Sequence, residues 1–112
     1  MSERDPRLYL VDIMDSAEAI LQFTKGLSFD EFACDRKTVS AVIREFEVIG
    51  EAVGKLPDII KKAYPDVEWQ DIKDLRNLLI HEYFGIDQEI IWGIIRDDIP
   101  KLITVVSDIL AR

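Results

Sequence analysis

The sequence predicts an all-α fold, an up-and-down bundle of four or five helices. Apolar residues recur at the spacing of one helical face through successive long stretches, and helix start and stop signals separate those stretches. No stretch sustains the alternation of a half-buried strand, and neither repeats nor low-complexity tracts occur. With 112 residues the chain has enough length for one hydrophobic core, and it reads as a single domain over 1–112 without a linker.

The first helix is predicted to start at Pro6, directly after Asp5, and to bury Leu10, Ile13, Met14, Ala17, Ile20 and Leu21. Gly26 ends it, and Ser28 with Glu31 has the spacing of a capping box for the next segment. A second stripe follows at Val39, Val42, Ile43, Phe46, Ile49, Gly50 and Val53. The turn from Gly54 to Pro57 leads into a short helix over Asp58 to Ala63, closed by Pro65. Trp69 packs at the start of a third stripe containing Ile72, Leu75, Leu79, Ile80 and Tyr83, with Gly85 near its end. Asp87 caps a last amphipathic segment that runs from Ile90 to Leu110 and is kinked or split by Pro100.

Hydrophobic residues make up 48% and charged residues 32%, the balance of a folded globular protein rather than a disordered one. No apolar run approaches the ~20 residues that cross a bilayer. With no signal-peptide pattern either, the expected location is the cytoplasm, away from membranes. Cys34 has no second cysteine to pair with, and its setting among Phe32, Ala33 and Val39 predicts a small packed side chain. The net charge of −8 repels phosphate backbones, which argues against tight nonspecific binding to duplex nucleic acid. Any nucleic-acid chemistry therefore needs a local basic site or a partner.

Arg76 interrupts the third apolar stripe. A guanidinium does not lose its charge and is costly to bury unpaired, so it requires a carboxylate partner, a cleft or an interface. Glu47 and Glu51 on the second stripe are candidate partners, and an ion-paired arginine anchoring two helices is the plainer reading. At about 100° per residue, His81 lies about 140° around the helix from Arg76, one turn after Asn77, while Tyr83 returns to within about 20° of Arg76. Lys73 lies near the same face. A single histidine near a helix end is more commonly a cap or packing residue than a catalyst.

Other chemistry is poorly supplied. One His and one Cys do not make an ordinary zinc site, there is no Glu-x-x-His di-metal pattern, and no cofactor or metal is expected. The stretch GEAVGK beginning at Gly50 lacks phosphate-loop spacing, and its glycines suit close helix packing and a helix end. No nucleophile-elbow sequence supports a Ser/His/Asp triad.

The run RNLLIHEY from Arg76 to Tyr83 reads as Arg, four residues, His, one residue, Tyr. It resembles the motif of HepT-like RNase toxins in the HEPN superfamily. The similarity continues upstream through IGEAVGKLPDIIKKAYPDVEWQDIKDLRN and downstream through FGIDQEIIWGIIRDDIPKL. The resemblance implies a HEPN-type bundle, a homodimer that brings two motifs together, and metal-independent cleavage of RNA. It further implies a minimal nucleotidyltransferase antitoxin that adenylylates the motif tyrosine. Carried over by position, Arg76 and His81 form the catalytic pair, Asn77 supports them and Tyr83 is the modification site. Two other readings stay open at this point. One is a noncatalytic helical module that docks a nucleotidyltransferase or a nucleotide; the other is a structural dimer in which these residues maintain the interface.

Overall fold

The computed structural model describes residues 4–81 and 87–112, and for His81 the backbone alone. Four of the helices begin where a side chain satisfies otherwise free backbone N–H groups. Helix α1, Pro6–Thr24, starts on Asp5, whose carboxylate accepts from the Arg7 N–H at 2.9 Å. Gly26 turns the chain beyond its end at φ 79°. Helix α2, Phe29–Cys34, has the expected capping box. The Glu31 N–H donates to Ser28 Oγ at 3.2 Å, and the Ser28 N–H donates to Glu31 Oε1 at 2.9 Å. Asp35 opens helix α3, Arg36–Lys55, by accepting from the Thr38 hydroxyl at 2.7 Å and the Thr38 N–H at 3.2 Å. Those two bonds hold the Asp35 carboxyl below its ordinary range.

Helix α4 is the short Asp58–Ala63 segment, and helix α5 spans Trp69–His81. The Trp69 indole is buried and donates to the Tyr64 carbonyl at 3.0 Å, pinning the α4–α5 connection to the core. Helix α6, Gln88–Gly93, starts on Asp87 as expected. It continues through a π-helical turn at Ile94–Asp98 into helix α7, Ile99–Ala111. Pro100 explains the interruption. Its nitrogen carries no hydrogen and its ring crowds the carbonyl four residues earlier, so the widened turn comes just before it and α7 restarts with the proline in its first turn.

Helix α3 lies at the centre, with α1 and α5 against it and α7 against α1. The directions alternate. Gly50 of α3 faces Arg76 of α5 while Gly54 faces Lys73, and Arg7 at the start of α1 donates to the Leu110 carbonyl at the end of α7. This is the expected up-and-down all-α arrangement, and the described residues contain no strand. The core draws Leu10, Ile13 and Ile20 from α1, Val42, Phe46 and Ile49 from α3, Leu79 from α5, and Leu102 and Val106 from α7. Among the described residues, no helix is long and apolar enough to cross a membrane.

Cys34 departs from expectation, because its side chain is exposed rather than packed. The inward position of α2 belongs to Phe32, fully buried and 5.2 Å from the Trp92 ring. Two residues farther on is about 200° around a helix, which turns Cys34 outward. Ile80 and Ile90, read as parts of apolar stripes, are also exposed. Gly85, the expected end of the third stripe, lies outside the described residues.

Candidate functional site

Two adjacent residues of α3 determine how Arg76 sits. Gly50 is buried at the α3–α5 crossing, and a Cβ built there would overlap the Cβ and Cγ of Arg76. Absence of a side chain at Gly50 therefore seats the base of the Arg76 side chain directly on the α3 backbone. Glu51, the next residue, holds the other end: Arg76 Nη2 donates to Glu51 Oε2 at 2.8 Å. Of the two acidic candidates read from the sequence, Glu51 makes the pair.

Asn77 completes the hold on the guanidinium, accepting from Arg76 Nη1 at 3.1 Å through its side-chain oxygen. The Arg76 side chain is 32% exposed, with Nε buried and without a hydrogen-bond partner among the described residues. A guanidinium has five N–H donors. With one bond made by each Nη atom and the head partly open to solvent, Arg76 retains donors for an incoming oxyanion.

The cleft beside it has a volume of about 450 Å³ and is walled by α1, α3 and α5. Arg4, Arg44, Lys55 and Arg76 line it, against the carboxylates Asp12, Glu47 and Glu51. Arg4 is engaged by Asp12 at 2.9 Å and lies over the Tyr9 ring. Arg44 and Lys55 form no ion pair among the described residues. A chain of net charge −8 thus carries a locally cationic cleft at the arginine its sequence singles out. Ile80, 45% exposed, supplies an apolar wall. Lys73, expected near this face, lies toward Gly54 and does not line the cleft.

The structure brings Arg76 and Asn77 together with Glu51. His81 is the last residue of α5, and its side chain lies outside the described residues, as does the whole of Tyr83. Residues 13–109 match the family model for HepT-like ribonucleases. The chain belongs to the HepT-like ribonuclease family. Its relatives include the Methanocaldococcus jannaschii protein named "Putative RNase MJ0127", 46% identical over 98% of this chain and 91% of that one. "Probable ribonuclease HepT" of Thermococcus cleftensis is 41% identical over 89% of this chain and 91% of its own length. A protein of Caldanaerobacter subterraneus, "Putative RNase TTE0752", is 39% identical over 97% of each chain. No solved structure gives a significant match.

In this HepT-like chain, sequence reasoning missed the contributions of Arg44, Lys55 and Arg4 to the cleft. Part of the signal was present: Arg44, Glu47, Val48, Glu51 and Lys55 recur at helical spacing along one face of α3. Nothing in the sequence indicates that this face meets the start of α1 and the middle of α5.

Proposed function

We propose that this HepT-like chain is a metal-independent endoribonuclease of HEPN type, working as a homodimer, with Arg76 and His81 as its catalytic pair. The partly exposed Arg76 guanidinium, seated in a cationic cleft of an acidic protein, carries the reading. RNA cleavage by ribose-hydroxyl attack requires a base to take the 2′-hydroxyl proton. It also requires a cation to stabilise the added negative charge on phosphorus, and an acid to protonate the departing 5′-oxygen. Arg76 supplies the cation and His81 the proton transfer. Because the chain has one histidine, a two-fold dimer provides separate base and acid copies, and the exposed Ile80 beside Arg76 gives such an interface an apolar contact. Asn77 supports by accepting from Nη1.

In the same proposal the chain is the toxin of a toxin–antitoxin pair in the cytoplasm. Its partner is a minimal nucleotidyltransferase that transfers AMP to Tyr83, two residues after His81. The added phosphate then competes for Arg76 and the adenosine blocks RNA.

Purified full-length protein, incubated with single-stranded RNA and a chelator, tests this reading alongside light scattering. Expected are a dimer and fragments ending in a 2′,3′-cyclic phosphate and a 5′-hydroxyl. A well-folded monomer without cleavage would instead favour the noncatalytic module that docks a nucleotidyltransferase or nucleotide. Incubation with the cognate nucleotidyltransferase and ATP tests the regulation: mass mapping is expected to place AMP on Tyr83, with cleavage lost. Full activity after complete adenylylation would overturn it.

A further inference from the structure

The side of α5 away from Arg76 has the opposite character. There α5 and the π-helical turn leading into α7 enclose a groove of about 230 Å³. The half-buried Ile72, Leu75 and Ile94 form an apolar floor, backed by the buried Leu102. Its rim carries Asp66, Glu68, Asp71 and Asp98, all exposed, with Lys101 as the one cation among the described residues that line it. None of the four carboxylates forms an ion pair among the described residues. The π-helical turn places Ile94 and Asp98 on this groove, and such turns recur at functional positions in helices.

We infer that this groove is a docking site for a protein segment with a leucine-like apolar anchor flanked by lysine or arginine. Charge complementarity selects that occupant. An apolar floor of this size takes one or two large side chains, while four unpaired carboxylates around it favour basic flanks and repel a nucleic-acid backbone. A cationic cleft on one side of α5 and an acidic groove on the other separate the surface for RNA from the surface for a protein partner. Leu75 and Arg76 are successive residues directed to these two sides, so both can be occupied together. The docking site does not depend on ribonuclease activity and stands or falls on binding alone.

The test uses the full chain and a short fluorescein-labelled synthetic peptide carrying two leucines between pairs of lysines, titrated by fluorescence anisotropy. Saturable binding is expected. Glu68→Lys/Asp71→Lys is expected to weaken it by about tenfold or more, equivalent to about 1.4 kcal/mol. Asp15→Lys/Glu18→Lys, which makes the same change in net charge on exposed positions of α1 away from the groove, is expected to leave binding within about twofold. Replacing both peptide leucines with serine is expected to abolish saturation. Equal weakening by the two double variants, indifference to the leucines, or no saturable binding by the wild type would overturn the inference.

Discussion

Gly50 and Gly54 stand one turn apart on α3 and meet α5 in different ways, so the same substitution is expected to act in opposite directions. At Gly50 a Cβ enters the space of the Arg76 Cβ and Cγ, and Arg76 Cα lies 3.5 Å away. Atoms so close to the α5 backbone do not move aside by rotamer change, and α5 itself has to shift. Overpacking of this kind costs about 1–3 kcal/mol. The better helix propensity of alanine returns up to about 1 kcal/mol. With the built Cβ inside the space of two Arg76 carbons, the cost falls in the upper part of that range, and Gly50→Ala is expected to lose about 1–2 kcal/mol net, lowering Tm by roughly 5–15 °C in a domain of this size. Gly54→Ala meets nothing closer than Lys73 Cε at 3.9 Å and is expected to be neutral or to raise Tm by a few degrees, about 4–8 °C at most. An α5 shift of about 1 Å also misplaces the guanidinium, which is expected to reduce RNA cleavage about 100-fold in molecules that remain folded. Thermal unfolding and cleavage assays below the lower Tm check both parts. Equal stability and equal activity for the two variants would refute the seating of Arg76 on the α3 backbone.

Glu51→Gln removes the charge from an exposed ion pair, so the expected stability change is under about 1 kcal/mol. KM for RNA is expected to fall, because the carboxylate no longer competes with phosphate, while kcat falls as the guanidinium loses its orientation; the split is read from initial rates. Arg76→Lys keeps the charge but loses the fork that Glu51 and Asn77 hold, and at least about a tenfold loss of kcat/KM is expected. Asp35 has its carboxyl lowered from an ordinary 3.8 by Thr38. The stability it adds is present above that ordinary value and lost as pH falls through the lower folded one. The Tm difference between wild type and Asp35→Asn is therefore expected to shrink as pH is taken below about 4, and a difference independent of pH would contradict the cap.

The helices were legible because their signals are local. The Ser28–Glu31 capping box, the helix start at Pro6, the Asp87 cap, and the α3 stripe from Val39 to Val53 depend only on spacing along the chain, and each forms as read. The problem posed by Arg76 was equally legible: a charge in an apolar stripe requires a carboxylate partner, a cleft or an interface, and Glu51, one of the two candidate carboxylates, pairs with it. What could not be read depends on which helix faces which. Arg4, Arg44 and Lys55 share a cleft because α1 and α5 flank α3, and the acidic groove exists because a π-helical turn meets α5. Cys34 shows the same limit on a smaller scale, since its apolar neighbours in sequence are not its neighbours around α2. Asn77, read as one turn before His81, accepts from the guanidinium next to it, a contact that spacing alone does not reveal.

In the proposed function Arg76 is an electrostatic catalyst presented by this fold rather than only an anchor between α3 and α5. That role is tested most directly by the single-turnover rate of RNA cleavage for Arg76→Ala, measured in chelator with saturating protein, beside its unfolding midpoint. A rate lower by about 100-fold or more is expected, with a cooperative unfolding transition retained. A folded Arg76→Ala protein that cleaves RNA at the wild-type rate would contradict it.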